Sequence, residues 1–229
     1  MVKQATLDFL RELRQNNSKE WFDKNRKRYD AVKADYLALA GSILDVMKKV
    51  DPMLDMTTAK ECIFRINRDI RFSADKSPYK TNLGIALHAG GKKFNLAAYY
   101  VHIEPDATSF AGGGIWMPEA PLLSKIRKEI HYFYPELRKV LDEPSFKKTF
   151  GDLDVEEGHK LSRPPKGYVE EDPAIEYLKL KSFTASTVIP EDILTTGQFL
   201  PFVVNSLTVI KPLIGFINRG LQSDEDGGI

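Results

Sequence analysis

Apolar residues recur at helical intervals along the first fifty positions. In LDFLRELRQ, Leu7, Leu10 and Leu13 fall one turn apart behind Thr6, which predicts a short amphipathic helix with Thr6 as N-cap and Asn16-Asn17 as its end. Ser18 opens the next pattern. Trp21, Phe22, Tyr29, Val32, Tyr36, Leu39, Ala40, Ile43, Leu44, Met47 and Val50 follow mostly at three- and four-residue intervals, with charges between them. This spacing predicts a long helix, broken near Gly41 and closed by Asp51-Pro52.

The period changes after Lys60. In IFRINRDIRF the apolar residues Phe64, Ile66, Ile70 and Phe72 alternate with the polar Arg65, Asn67, Asp69 and Arg71, and Arg68 interrupts the apolar face. Period two predicts a half-buried strand. A helix would group Ile63, Ile66 and Ile70 but leave Phe64 and Phe72 unexplained. LGIALHAGGKKFNLA reads as a hairpin through a Gly90-Gly91 turn, which sets Leu87 against Phe94, Ile85 against Leu96 and Leu83 against Ala98. AYYVHIEP continues the second strand, Pro105-Asp106 supplies a turn, and SFAGGGIWMP returns with Gly112, Gly113 and Gly114 opposite Ala97 to Tyr99.

Leu122, Leu123, Ile126, Ile130 and Phe133 have helical spacing as far as Pro135, and a second helical piece follows. Residues 150–172 are polar and contain RPPKGY, which reads as loop. IEYLKLKSFTASTVI is a possible strand with its period undecided, and the apolar pattern from Phe199 to Ile217 is a helix interrupted by Pro212. QSDEDGGI is too acidic and glycine-rich to pack. These elements predict an α+β fold: a central antiparallel sheet from about Ile63 to Trp116, flanked by N-terminal and C-terminal helices, in one domain over 1–221 with a disordered acidic tail at 222–229.

Composition narrows the function classes. With 33 Lys+Arg against 32 Asp+Glu the formal net charge is +1, which gives no global attraction to nucleic acid or anionic lipid. The start lacks the apolar run of a secretory signal and no stretch approaches a membrane span, so a cytoplasmic protein without membrane partners is expected. Cys62 is the single cysteine, which excludes an internal disulfide and a thiolate zinc cluster. His88, His102, His131 and His159 show no two-ligand helical spacing, so no metal site is expected.

Charge is local instead. Between Lys60 and Lys80 the cations Lys60, Arg65, Arg68, Arg71, Lys76 and Lys80 outnumber Glu61, Asp69 and Asp75 by three. Arg68, on the apolar face of the predicted strand, requires a carboxylate, carbonyls or an anion, because an unpaired buried guanidinium is costly. Arginine holds phosphate or carboxylate in a bidentate fork and lysine adds a point charge. Arg65, Arg68, Arg71, Lys76, Tyr79 and Lys80 are therefore the candidate ligand-binding residues. Ser73 is an added donor, and Asp69 and Asp75 are candidates to orient an arginine or act as general base. A salt-bridge ladder in which Asp69 joins Arg71 and Arg65 accounts for part of the same charges.

The strings NNSKEWFDKNRKRYD, RINRDIRFSADKSPYKTN, AAYYVHIEPDATSFAGGGIWMPE and RPPKGY occur in an order that resembles domain-of-unknown-function family 2461, from about Phe9 to Leu221. The family motif falls on Arg65, Arg68, Asp69, Arg71, Phe72, Ser73, Asp75, Lys76, Pro78, Tyr79 and Lys80. The resemblance implies no activity, substrate or cofactor. It adds Gly112, Gly113, Gly114, Lys166 and Tyr168 as weaker candidates for the same site. Three function classes follow: a site for a phosphorylated or carboxylated small molecule, a nucleic-acid binder with Tyr79, Tyr99, Tyr100 and Trp116 as stacking groups, or an interaction or structural module held by an internal ion network.

Overall fold

A computed structural model describes residues 1–88, 95–106 and 109–223. The helices are α1 (Gln4–Gln15), α2 (Lys19–Lys24), α3 (Arg26–Val50) and α4 (Ala59–Cys62); the strands β1 (Leu83–His88), β2 (Ala98–Ile103) and β3 (Phe110–Ile115) follow. Then come α5 (Ala120–Tyr132), α6 (Tyr134–Leu141), α7 (Pro144–Phe150), α8 (Ile175–Leu178), β4 (Phe183–Val188) and α9 (Phe199–Gln222). The strands form one antiparallel sheet in the order β1-β2-β3-β4, so the fold is α+β. The chain divides into two compact units: one of Met1–Phe94, Tyr100–Ala111 and Val188–Asn205, the other of Asn95–Tyr99, Gly112–Thr187 and Ser206–Ile229.

In the first unit, Leu7, Leu10 and Leu13 of α1 are all buried, as their spacing predicts. Thr6 is buried inside the helix, and Lys3 occupies the N-cap position without a side-chain cap. Ser18 does cap α2, accepting the Trp21 backbone N–H at 3.3 Å. The break in the long helical pattern lies at Asn25, between α2 and α3, and not at Gly41, through which α3 runs uninterrupted. Val32, Tyr36, Leu39, Ala40, Ile43, Leu44 and Met47 form the buried stripe of α3. The Tyr36 hydroxyl donates to the Gly84 carbonyl of β1 and accepts the Phe64 N–H at 3.2 Å. Burial pushes this phenol well above its ordinary pKa.

The strand expected over residues 63–72 does not form. Only isolated antiparallel bridges occur, Ile63 with Ile85 and Asn67 with Tyr79. The chain instead makes a narrow loop whose ends meet: Lys80 N–H donates to Ile66 C=O at 2.8 Å and Arg68 N–H to Pro78 C=O at 2.9 Å. Asp69 accepts the Arg71 N–H and Asp75 the Ser77 N–H, so carboxylates two residues upstream take backbone donors that a strand would need for a neighbour. Phe72, placed on the apolar face by the alternation, is 95% exposed. The sheet thus starts at Leu83.

β2 begins at Ala98, which leaves Leu96 ahead of the strand; the Gly90-Gly91 turn and Phe94 lie outside the described residues. In the second unit a Cβ added at Gly113 would lie 2.6 Å from the Ala98 carbonyl oxygen, in keeping with the expected neighbourhood of Ala97 to Tyr99. The undecided segment after residue 174 divides into a single helical turn, α8, and the fourth strand, so the strands do not come in one run. Ile126, Ile130, Leu137, Leu141 and Phe146 give α5 to α7 their buried faces.

Pro212 does not interrupt α9, which continues through Gln222; of the predicted tail, residues 224–229 lie outside the described residues. With 24 residues and a mean hydropathy of 1.7 over its most apolar stretch, α9 is also long and apolar enough to cross a membrane, contrary to the sequence reading. Within it Val203, Leu207, Ile210 and Leu213 are fully buried.

Candidate functional site

Of the motif residues, Arg65, Arg68, Asp75, Tyr79 and Lys80 line one or both of two cavities of the first unit. A polar cavity of about 380 Å³ is lined by Arg14, Asn17, Arg68, Asp75, Ser77 and Tyr79 to Asn82. Asn17 sets its wall: its amide accepts the Tyr79 N–H at 3.1 Å and donates to the Tyr79 carbonyl at 2.9 Å. The cations of this cavity have internal partners. Arg68 pairs with Asp75 and donates to the Ser77 carbonyl at 3.2 Å and to Ser73 Oγ at 3.4 Å, which supplies the carboxylate and carbonyl its placement demands. Arg14 pairs with Glu104 at 2.7 Å and Asp106 at 2.9 Å. Hydrogen bonds from Ser77, then the Arg68 guanidinium, pull the Asp75 pKa down to about 2.

Two further motif cations line neither cavity. Arg71 forks onto Asp69 at 2.7 and 3.0 Å in an exposed pair, and this hydrogen bonding lowers the Asp69 pKa. Lys76 donates to the Ile70 carbonyl at 3.0 Å. Both acidic candidates are therefore engaged within the loop, Asp69 by Arg71 and Asp75 by Ser77 and Arg68.

The second, aromatic cavity measures about 490 Å³ and lies among α2, α3 and the segment from Lys60 to Asn67. α2 contributes Lys19, Phe22 and Asp23; α3 contributes Arg26, Tyr29, Lys33 and Tyr36. Lys19, Arg26 and Lys33 recur every seven residues, as do Phe22, Tyr29 and Tyr36; the break at Asn25 sets Lys19 and Phe22 on α2 and the other four on α3, and the cavity gathers cations and rings from both helices. Phe22 stacks on Tyr79 at 4.0 Å and an interplanar angle of 16°, and tilts against Tyr29 at 4.9 Å. Tyr79, 6% exposed, lines both cavities.

Charge matching differs here. Lys19 pairs with Asp23 at 3.0 Å and Arg26 with Asp30 at 3.3 Å. Lys33, Lys60 and Arg65 form no ion pair among the described residues, and Asp23 is the single carboxylate of the lining. Of the predicted residues this cavity gathers Arg65 and Tyr79. Lys80 marks its border with the polar one, its Nζ 5.2 Å from the Phe64 ring centre. The seven-residue recurrence of Lys/Arg and Phe/Tyr was the sequence signal for Lys19, Arg26 and Lys33, but the rings read first as helix core.

The weaker candidates fall in the other compact unit. A Cβ at Gly112 would strike the Ala185 carbonyl, and one at Gly114, whose φ is 120°, the Phe183 carbonyl; the space beside these glycines holds neighbouring strand backbone. Lys166 is exposed. Tyr168 meets His131 edge-on at 5.4 Å, and His131 Nδ1 lies 2.5 Å from the buried Asp172 carboxylate. Among the described residues no three His, Cys, Asp or Glu side chains gather in a metal-holding group.

No curated protein and no solved structure matches the chain. The family model described as "Conserved hypothetical protein (DUF2461)" matches residues 5–216, a span that includes both cavities and every candidate residue above, and the chain belongs to that family.

Proposed function

We propose that the protein binds a small anionic ligand, phosphorylated or carboxylated, in the aromatic cavity. The observation that carries this reading is the set Lys33, Lys60 and Arg65, three cations that form no ion pair among the described residues and line one hollow of about 490 Å³. Like charges drawn to one concave surface repel, and an anion both removes that repulsion and accepts charge-assisted hydrogen bonds from them. The volume lies in the range of small-molecule sites, roughly 300 to 1,000 Å³. For the loop from Arg68 to Ser77 an internal ion network is the better reading, since its arginine already meets Asp75 and the Ser77 carbonyl.

The reading is one of binding. A carboxyl titrating at about 2, as Asp75 does, lies too far below neutrality to serve as an efficient general base, so no catalytic step is assigned to it. Calorimetric titration of pyrophosphate and of citrate at low salt tests the proposal. Binding of either anion that is lost in a Lys33→Gln/Lys60→Gln/Arg65→Gln variant of unchanged circular dichroism supports it. Absence of heat and of thermal stabilisation with both anions overturns it.

A further inference from the structure

A simple anion would leave half of this cavity unused. Its wall carries the rings of Phe22, Tyr29, Tyr36, Phe64 and Tyr79 together with Ile63 and Ile66, and pyrophosphate or citrate has no surface to set against them. Phe64 is the informative member. It is a large apolar residue left 38% exposed at the cavity, held in place because its backbone N–H donates to the buried Tyr36 hydroxyl. The Lys80 ammonium stands over the same ring at 5.2 Å, the arrangement in which a cation and an aromatic face attract. Tyr29, half-buried, offers a second ring, and the Arg26 guanidinium lies 5.8 Å from its centre.

The charge count sets the other half of the ligand. Three cations with no ion pair among the described residues exceed what one carboxylate neutralises, whereas a phosphate monoester carries about −1.5 to −2 at neutral pH and a diphosphate more. Asn67, also in the lining, has both donors and an acceptor on one amide, the pair of functions that reads the edge of a heterocyclic base. A hollow of about 490 Å³ in a chain of net charge +1 suits a single nucleotide better than a polymer tracked along its backbone.

Resting on the anion-binding reading above, we infer that the ligand is a nucleoside phosphate: its phosphates meet Lys33, Lys60 and Arg65, and its base stacks on Phe64 and Tyr29. Stacking on one aromatic side chain is worth about a tenfold change in affinity or more.

The test is calorimetric titration of the full chain with pyrophosphate, adenosine, a panel of ADP, GDP, CDP and UDP, and a ten-residue oligothymidylate, repeated on Phe64→Ala and Phe64→Leu. At least one nucleoside diphosphate should bind about tenfold or more tightly than pyrophosphate. Both variants should erase that advantage and leave pyrophosphate affinity unchanged. Phe64 is 38% exposed, so Phe64→Ala should melt somewhat lower and is read only with unchanged circular dichroism, whereas Phe64→Leu retains an apolar side chain, removes only the ring and should melt close to the wild type. If pyrophosphate binds as tightly as every nucleotide and Phe64 has no effect, the nucleotide assignment falls and the anion site stands. If neither pyrophosphate nor any nucleotide binds, both readings fall. Oligothymidylate binding tighter than every nucleotide in the panel overturns the assignment in favour of single-stranded nucleic acid.

Discussion

In the polar cavity Arg14 and Arg68 form ion pairs with carboxylates of their own chain, Glu104, Asp106 and Asp75, whereas in the aromatic cavity Lys33, Lys60 and Arg65 form no ion pair among the described residues. The two hollows share the Tyr79 ring and similar size, and they differ in which segments bring acids to them. Asp75 and Ser77 fold back onto Arg68 because the loop closes between Ile66 and Lys80. On the helical face the acid neighbours go elsewhere: Asp23 to Lys19 and Asp30 to Arg26. A surplus of cations counted along one stretch of chain therefore does not locate the surplus in space. The motif arginine that would be costliest unpaired, Arg68, is matched, and the surplus lies at Arg65 with Lys33 and Lys60 from outside the motif.

The comparison breaks most sharply at the unpaired cations. Lys33→Gln/Lys60→Gln/Arg65→Gln should lower pyrophosphate affinity about a hundredfold or more in calorimetry, since each charged hydrogen bond is worth roughly 1.5 to 3 kcal/mol. The same variant should melt close to the wild type, because among the described residues it removes no ion pair and, beside the mutual repulsion, only the longer-range attraction of Arg65 for Asp69. A lower melting temperature would mean these cations have partners inside the chain.

Tyr36→Phe is the next largest effect. The phenol is buried and bridges the Gly84 carbonyl and the Phe64 N–H, so its loss removes both hydrogen bonds and should cost about 1 to 3 kcal/mol in denaturant unfolding. Because Phe64 loses its anchor, the variant should also weaken any nucleotide more than it weakens pyrophosphate.

Arg68→Met probes the matched cavity. With Asp75 mostly exposed, removing its partner should lower the melting temperature by at most about 2 °C and leave pyrophosphate affinity unchanged. Amide exchange over residues 68–77 should rise. Loss of anion binding here would reassign the site to the polar cavity.

The smallest effect is in pH. Asp75 titrates at about 2 in the folded chain, below the ordinary carboxylate value of 3.8, so the folded state holds its proton more weakly than the unfolded chain does. Its contribution to stability is present in full above about pH 4 and is lost as the pH falls through about 2. Carboxyl-carbon NMR should place the Asp75 midpoint near 2, and Ser77→Ala should raise it more than Arg68→Met does, since the Ser77 hydrogen bonds are the larger cause.

Much of the fold was legible. The stripes of α1 and α3 follow from spacing, because an amphipathic helix records in its own sequence which face it buries, and the Ser18 cap and strands β1 to β3 follow from cap and turn residues that act locally. The segment from Ile63 to Phe72 misled for a physical reason: Asp69 and Asp75 capture nearby N–H groups, and alternation alone does not show whether a neighbouring strand is there to take them. Proline misled in the same way at the other end. Pro212 costs α9 one hydrogen bond, and the burial of Ile210, Leu213 and Ile214 around it offsets that loss. β4 stayed undecided because Ile175 to Val188 holds both a helical turn and a strand, each shorter than the span over which either period declares itself.

The amino-acid sequence by itself determined the α+β class, the inner faces of its long helices, the family, and the presence of uncommon cation density near Arg65 to Lys80. Those properties are local, set by spacing and by side-chain chemistry within a few turns. Only the tertiary structure decided which cations remain unmatched, because pairing depends on acids and carbonyls that arrive from distant positions, such as Glu104 on Arg14, or from a loop closing on itself, such as Asp75 on Arg68. Charge is written in the chain, but its neutralisation is a matter of distances of a few ångströms that folding alone sets.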